Sequence, residues 1–171
     1  GWDYVINNLA KVPVISLALG PVAGLGAARL VTSHFSIMVK GLSQIFVAGP
    51  PLVEKIGEIV SKEELGGSEI HGKNGVVDIL ADTEKQAMDK AKILLSYLPK
   101  SSYHIPSRIT EKDSINKIDE SLLNIIPKDK RESYDIFPII KSVTDKNSFF
   151  EIGKNYGLSV ITGFARLDGY P

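Results

Sequence analysis

The stretch Gly20-Pro21-Val22-Ala23-Gly24-Leu25-Gly26 decides how the rest of the chain is read. In front of it, Pro13 forces an extended start to Val14-Ile15-Ser16-Leu17-Ala18-Leu19, a run apolar enough to be a strand covered on both faces. Behind it, residues 24–34 are rich in Ala, Leu and Val, the composition of a buried helix. Further upstream, Val5, Ile6 and Leu9 recur at helical spacing within residues 2–10. The order is therefore helix, strand, glycine turn, helix, and the fold class is α/β. A strand that stops at glycine and restarts as a helix points several unpaired backbone N–H groups at one spot, which suits an anion. If that anion is a thioester oxygen turning into an enolate, the turn is an oxyanion hole. On spacing alone, the same glycines serve equally well to pack a helix closely on a strand, and both readings stand at this level.

Downstream, Ser36-Ile37-Met38-Val39 and Gln44-Ile45-Phe46-Val47 read as short strands flanking a turn at Lys40-Gly41. Gly49-Pro50-Pro51 then opens a helix through Leu52, Val53 and Ile56, because proline suits a first helical turn. Ser61-Lys62-Glu63-Glu64 has the reciprocal pattern of a capped helix start, and Gly66-Gly67 is expected to give it a left-handed exit. Residues 70–80 read as a loop and short strand. Thr83 caps a longer helix with Ala87, Ala91, Leu94 and Leu98 on one face, ended by Pro99. Residues 100–130 turn polar, with scattered Ile115, Ile118, Leu122 and Ile125, and read as a linker. Beyond it, a helix is expected near residues 136–143, another from Phe149, and a strand over residues 159–166.

Composition narrows the function. The 20 Lys+Arg balance the 20 Asp+Glu, so no positive field favours a phosphate backbone and nucleic acid is not an expected partner. No cysteine is present, which excludes a thiol nucleophile and a thiolate metal site and fits a reducing compartment. The longest apolar stretch, residues 12–28, is broken by Pro13, Gly20, Pro21, Gly24 and Gly26, so neither a membrane span nor a membrane partner is expected. The opening Gly1-Trp2-Asp3-Tyr4 carries no initiator methionine and no secretory leader, as in an internal excerpt of a longer chain.

Side-chain chemistry is poorly served. His34 and His71 stand apart from other ligand types, His104 lies in the linker, and no metal is expected in this segment. Ser16, Ser33, Ser36 and Ser43 lack the strained setting of an exposed serine nucleophile. The carboxylates Glu63, Glu64, Asp82 and Glu84 sit where helix starts favour negative charge anyway.

The ordered blocks go further. Gly20-Pro21-Val22-Ala23-Gly24, then Ile45-Phe46-Val47-Ala48-Gly49-Pro50-Pro51-Leu52-Val53, then Glu63-Glu64-Leu65-Gly66-Gly67 with His71, then Gly75-Val76-Val77-Asp78 and Ser96-Tyr97-Leu98-Pro99, resemble the N-terminal half of carboxyltransferase β subunits of biotin-dependent acyl-CoA carboxylases, of the propionyl-CoA or methylcrotonoyl-CoA type. After the linker, Arg131, Tyr134-Asp135, Ile139-Ile140, Phe149-Phe150-Glu151, Gly163-Phe164-Ala165-Arg166 and Gly169-Tyr170-Pro171 are similar to the opening of the C-terminal half.

The resemblance implies a crotonase-like (ClpP/crotonase) fold. Residues 1–99 would be the later part of one carboxyltransferase domain, 100–130 a linker, and 131–171 the start of a second. It implies transfer of a carboxyl group from carboxybiotin to the α-carbon of a coenzyme A thioester, with backbone N–H groups holding the enolate and ureido oxygens. The implied partners are a biotin carboxylase, a biotin carboxyl carrier subunit or domain, and further copies of the parent subunit, in the cytoplasm or in the matrix of a mitochondrion. Carried over by residue, the oxyanion turn falls on Gly24 and Leu25, where Leu25 replaces the family's usual glycine, with Gly26 as a further donor. Gly49, Pro50, Gly66 and Gly67 would shape the substrate entrance. An excerpt of this kind is not expected to be a complete catalyst. The alternatives within reach of the same blocks are a biotin-dependent acyl-CoA decarboxylase and a crotonase-like CoA-binding or assembly module without chemistry.

Overall fold

The chain begins with α1 (Trp2–Leu9), and Pro13 then hands over to β1 (Ile15–Ala18). The structure, a computed structural model, describes residues 1–110 and 118–171, so Ile115 of the linker lies outside the described residues. The glycine turn itself contains β2 (Pro21–Ala23), from which the chain passes directly into α2 (Leu25–Val31). Two further strands follow, β3 (Phe35–Val39) and β4 (Gln44–Phe46). They do not pair with each other. Instead β3 lies parallel to β1, with Ile15 opposite Phe35 and Ala18 opposite Met38, while β4 lies parallel to β2, with Val22 opposite Ile45.

The turn at Lys40-Gly41 thus carries the chain from one sheet to another, as Gly20 does one step earlier. Ser43 Oγ ties the crossing down by donating to the Ala18 carbonyl at 2.5 Å. Residues 36–39 of the central strand are all buried, the pattern of a parallel strand covered on both faces. The one polar residue among them, Ser36, is matched by Asp78, whose Oδ2 accepts from the Ser36 N–H at 2.7 Å and from its hydroxyl at 2.9 Å. Ala27 and Leu30 of α2 close the core with Ala18, Met38, Ile45 and Val77.

Gly49 then caps α3 (Pro50–Val53), which tightens into a 3-10 turn ending at Ile56. Next, α4 (Lys62–Gly66) has the expected reciprocal cap between Ser61 and Glu64. Hydrogen bonds from the Ser61 side chain and then its backbone hold the Glu64 carboxyl below the usual carboxylate range. The cap is therefore at full strength above that range and is lost as pH falls through the lowered value. The expected left-handed exit does not occur. Gly67 is extended, at φ −77° and ψ 175°, and the chain re-enters a helical turn as α5 (Ser68–His71), where the sequence suggests a loop. These glycines answer to close packing rather than to handedness. β5 (Ile79–Ala81) joins the far side of β3 in parallel, and α6 (Glu84–Ser96) follows. Thr83 Oγ1 accepts from the Gln86 N–H at 3.1 Å as its cap, and Ala87 and Leu94 are fully buried.

The chain divides into two compact units, Gly1–Lys92 with Ile152–Thr162 and Ile93–Glu151 with Gly163–Pro171. The remaining elements among the described residues are a 3-10 turn at Glu120–Asn124 within the linker, α7 (Phe137–Val143), β6 (Phe150–Ile152) and β7 (Thr162–Phe164). The helix expected from Phe149 is instead the strand β6. Phe-Phe-Glu-Ile is too short to favour helix over strand, and Gly153 at φ 66° ends it. The strand expected over residues 159–166 keeps only its centre.

Within the second unit, Arg166 is almost wholly buried. Its guanidinium donates to the carbonyls of Ser96 at 2.6 Å and Gly169 at 3.1 Å and lies 4.7 Å over the Tyr97 ring. Burial pushes the Tyr97 hydroxyl up from its ordinary value, against the pull of the Arg166 charge, and the hydroxyl donates to the Ser148 carbonyl. The Asp145 carboxylate accepts from the N–H groups of Asp168 at 2.9 Å and Gly169 at 2.6 Å. Part of the linker is held in the same way, for Ile109 N–H donates to the Gly169 carbonyl at 3.0 Å and Arg108 pairs with Asp168 at 2.6 Å. Arg166→Met leaves buried carbonyls without a donor, at about 1–3 kcal/mol for each such group. It should lower the urea unfolding midpoint clearly, whereas Arg108→Ala, at an exposed ion pair, should leave the midpoint close to that of the unaltered protein.

Candidate functional site

Parallel pairing of β2 with β4 continues one residue past β2. The Gly24 N–H is shared between the carbonyls of Phe46 at 3.2 Å and Val47 at 3.1 Å. Gly24 has φ 57° and ψ −123°, a backbone conformation that an L side chain rarely adopts, and this swings the chain from strand to helix. Its carbonyl accepts the first helical bond, from Ala28 N–H at 3.0 Å. The N–H groups of Leu25, Gly26 and Ala27 lie ahead of that bond and have no helical carbonyl behind them to reach. Ala27 is buried, but Gly26 is exposed and Leu25 is 56% exposed. Two exposed residues, Leu25 and Gly26, therefore bring main-chain donors with no helical partner side by side to the start of α2. The Gly24 N–H is spent on holding the turn to β4.

Beside them runs the exit of β4. No side chain in residues 20–28 or 47–53 carries nitrogen or oxygen, so the only polar equipment of either segment is its backbone. Pro50 and Pro51 have no N–H to offer, and those of Leu52 and Val53 turn back to the Gly49 carbonyl at 2.9 and 3.4 Å. Pro50 and Pro51 therefore add apolar surface and no donor after the exit of β4.

Gly66 and Gly67 sit elsewhere, along the other edge of β4. A Cβ on Gly66 would stand 2.0 Å from the Ile45 oxygen, so α4 approaches the strand as closely as a bare backbone permits. The same oxygen accepts from His71 Nε2 at 2.6 Å. Glu63, expected only to favour a helix start, accepts from Gln44 Nε2 at 3.0 Å and from the Ser68 N–H at 3.3 Å. Nothing in the sequence singles out the His71 contact, because its partner is 26 residues away.

Several of the other residues considered for chemistry are engaged in local structure. His34 Nδ1 accepts from the Val14 N–H at 3.1 Å, and Ser33 Oγ donates to the Leu30 carbonyl at 2.6 Å. His104 Nδ1 pairs with Ser101 Oγ at 2.7 Å. Among the described residues, no group of three or more His, Asp or Glu is gathered as a metal would need, and no helix is long and apolar enough to cross a membrane.

Residues 5–171 match the family profile of the carboxyl transferase domain. The chain is 36% identical over 161 residues to the carboxyltransferase subunit of propionyl-CoA carboxylase from Haloferax mediterranei, covering 93% of this chain and 31% of that protein. It is 32% identical over 165 residues to the α subunit of methylmalonyl-CoA decarboxylase from Veillonella parvula, covering 95% of this chain and 32% of that one. Among solved structures, transcarboxylase 12S, described as a hexamer with hydrolysed methylmalonyl-coenzyme A bound, superposes with a TM-score of 0.89 at 29% identity, over 97% of this chain and 34% of that one. The chain spans about a third of the length of these relatives.

The geometry separates glycines the turn requires from one it does not. Gly24→Ala forces a side chain into a positive-φ conformation and should cost roughly 1–3 kcal/mol of unfolding free energy. Gly66→Ala must displace α4 from β4 and should cost about as much or more. Gly49→Ala, at φ −76° with its nearest neighbour 3.4 Å from the new Cβ, should stay within about 0.5 kcal/mol. Chemical denaturation of the three variants checks the order.

Proposed function

The chain belongs to the carboxyl transferase domain family, and from that premise we propose that it is one part of a subunit that moves a carboxyl group between carboxybiotin and the α-carbon of an acyl-CoA. The observation that carries the reading is the pair of N–H groups on the exposed residues Leu25 and Gly26, ahead of the first helical bond, in a turn whose own residues 20–28 carry no side-chain nitrogen or oxygen. Negative charge that develops on a thioester oxygen is met by both donors at once, in surroundings poor in competing polar groups. A carboxybiotin delivered by a carrier would supply the carboxyl group and, once that has left, a base for the α-proton. The chain's own part is then to hold the thioester oxygen and to leave room above it.

In this reading Gly24 anchors the turn, Leu25 and Gly26 donate, and Gly49 and Pro50 shape the approach of the acyl group. Gly66 and Gly67 act on the far edge of β4, supporting the strand rather than touching substrate. Residues 1–99 belong to a first crotonase-like domain and residues 131–171 open a second, with 100–130 between them. A biotin carboxylase, a biotin carrier and further copies of the parent subunit are the partners that such a reaction needs. Likeness to the methylmalonyl-CoA decarboxylase subunit favours a second reading, in which the same half-site serves transfer from a carboxyacyl-CoA to biotin. The two directions separate by assay: carboxybiotin with propionyl-CoA for one, methylmalonyl-CoA with biotin under the parent's native partners for the other.

Leu25→Pro tests the donor role in the full-length parent. Proline fits the first position of a helix and removes one N–H, whereas Leu25→Ala trims the side chain and keeps the donor. Loss of one oxyanion donor should lower kcat by about 100-fold to 1,000-fold in the proline variant, with the alanine variant within roughly tenfold of the unaltered enzyme. Equal activity of the two variants would rule out the Leu25 N–H as a donor in the reaction.

A further inference from the structure

Successive carbonyls of an extended strand point to opposite edges, and β4 uses both of its edges within two residues. The Phe46 carbonyl accepts from the Gly24 N–H at 3.2 Å, while the Ile45 carbonyl, facing the other way, accepts from His71 Nε2 at 2.6 Å. A carbonyl only accepts, so His71 carries its proton on Nε2. Its Nδ1 then accepts from Asn74 Nδ2 at 3.4 Å, and the Asn74 amide is oriented by its Oδ1, which accepts from the Val76 N–H at 3.0 Å. Gly66 lies against the same Ile45 oxygen, where a Cβ would stand at 2.0 Å, so the oxygen is approached both by a bare backbone and by the imidazole.

We propose that His71 is a positioning residue for the donor pair on Leu25 and Gly26, acting through the two successive peptide planes of β4. The inference rests on the reading given under Proposed function. By pinning the Ile45 carbonyl, His71 fixes the rotation and lateral place of β4. That in turn fixes the carbonyl to which Gly24 is tied, one residue ahead of the first donor. His71 touches no substrate; its effect is on where the N–H groups point when charge develops, and geometry of that kind is felt in the transition state more than in ground-state binding.

The test uses the full-length parent and the transfer of a carboxyl group from methylmalonyl-CoA to free biotin. His71→Leu should lower kcat, counted per folded enzyme by calibrating against the native fraction, by about 10-fold to 100-fold with KM for methylmalonyl-CoA within about threefold; counted in that way, a loss of folded protein leaves kcat unchanged. His71→Gln, which places an N–H donor near the position of Nε2, should recover kcat to within about fivefold of the unaltered enzyme. If His71→Leu proves insoluble, the tautomer of His71 in the unaltered protein, read by nitrogen-15 NMR after histidine labelling, decides: a protonated Nε2 supports the inference and a protonated Nδ1 overturns it. Unchanged kcat in folded His71→Leu, or a rise in KM alone, also overturns it. The two readings fail separately. Sensitivity to Leu25→Pro without sensitivity to His71→Leu would remove the role of His71 and leave the donor pair in place; no transfer by the unaltered parent would remove both.

Discussion

Everything at the candidate site hangs on one shared hydrogen bond, the Gly24 N–H placed between the carbonyls of Phe46 and Val47 at 3.2 and 3.1 Å. It extends the β2–β4 ladder past the point where the chain must leave the strand, so the change of direction happens while the backbone is still held. The cost of that change is taken by a residue with no side chain, at a φ of 57°. Once Gly24 is fixed, the start of α2 follows, because its first turn is placed before any helical bond has formed. The remaining elements then read as support. Ala27 and Leu30 press α2 onto the core, and the opposite edge of β4 is closed by Gly66 and His71.

Much of this scaffold was legible from the chain itself. Pro13 with the apolar run behind it marks β1, the Ser61-to-Glu64 spacing marks the start of α4, and Thr83 marks that of α6; each signal is local and each acts where the pattern says. The failures share a cause. β2 is three residues long and exists because β4 lies alongside it, a pairing across about two dozen residues that no short pattern contains. The exit of α4 was expected to be left-handed because glycine there usually means handedness, whereas here it means clearance from the Ile45 carbonyl. Phe149-Phe150-Glu151-Ile152 is too short a run for its period to discriminate helix from strand.

The same distinction runs through the site. That a glycine turn between strand and helix could gather N–H groups was visible in Gly20 to Gly26. Which of those groups remain available was not, since the Gly24 N–H is consumed by a partner from β4 and the pair left over falls on Leu25 and Gly26. His71 read as an isolated histidine because its partner is a main-chain oxygen, and main-chain atoms leave no mark in a sequence. Arg166 was visible only as part of a block. Its burial among carbonyls, over the Tyr97 ring, comes from the way the second unit closes on residues 96, 107 and 169.

The absence of side-chain nitrogen and oxygen from residues 20–28 and 47–53 has a consequence for how such a half-site responds to its surroundings. Main-chain amides do not change protonation across the range in which proteins stay folded. A donor pair made of them keeps the same charge and the same hydrogen-bonding capacity from acid to alkali, unlike one built from histidine or lysine. If the pair serves as proposed, the bends in a pH–rate profile belong to the reagents and to other groups. The hydrogen-bonding capacity of the turn is a constant, set by backbone angles.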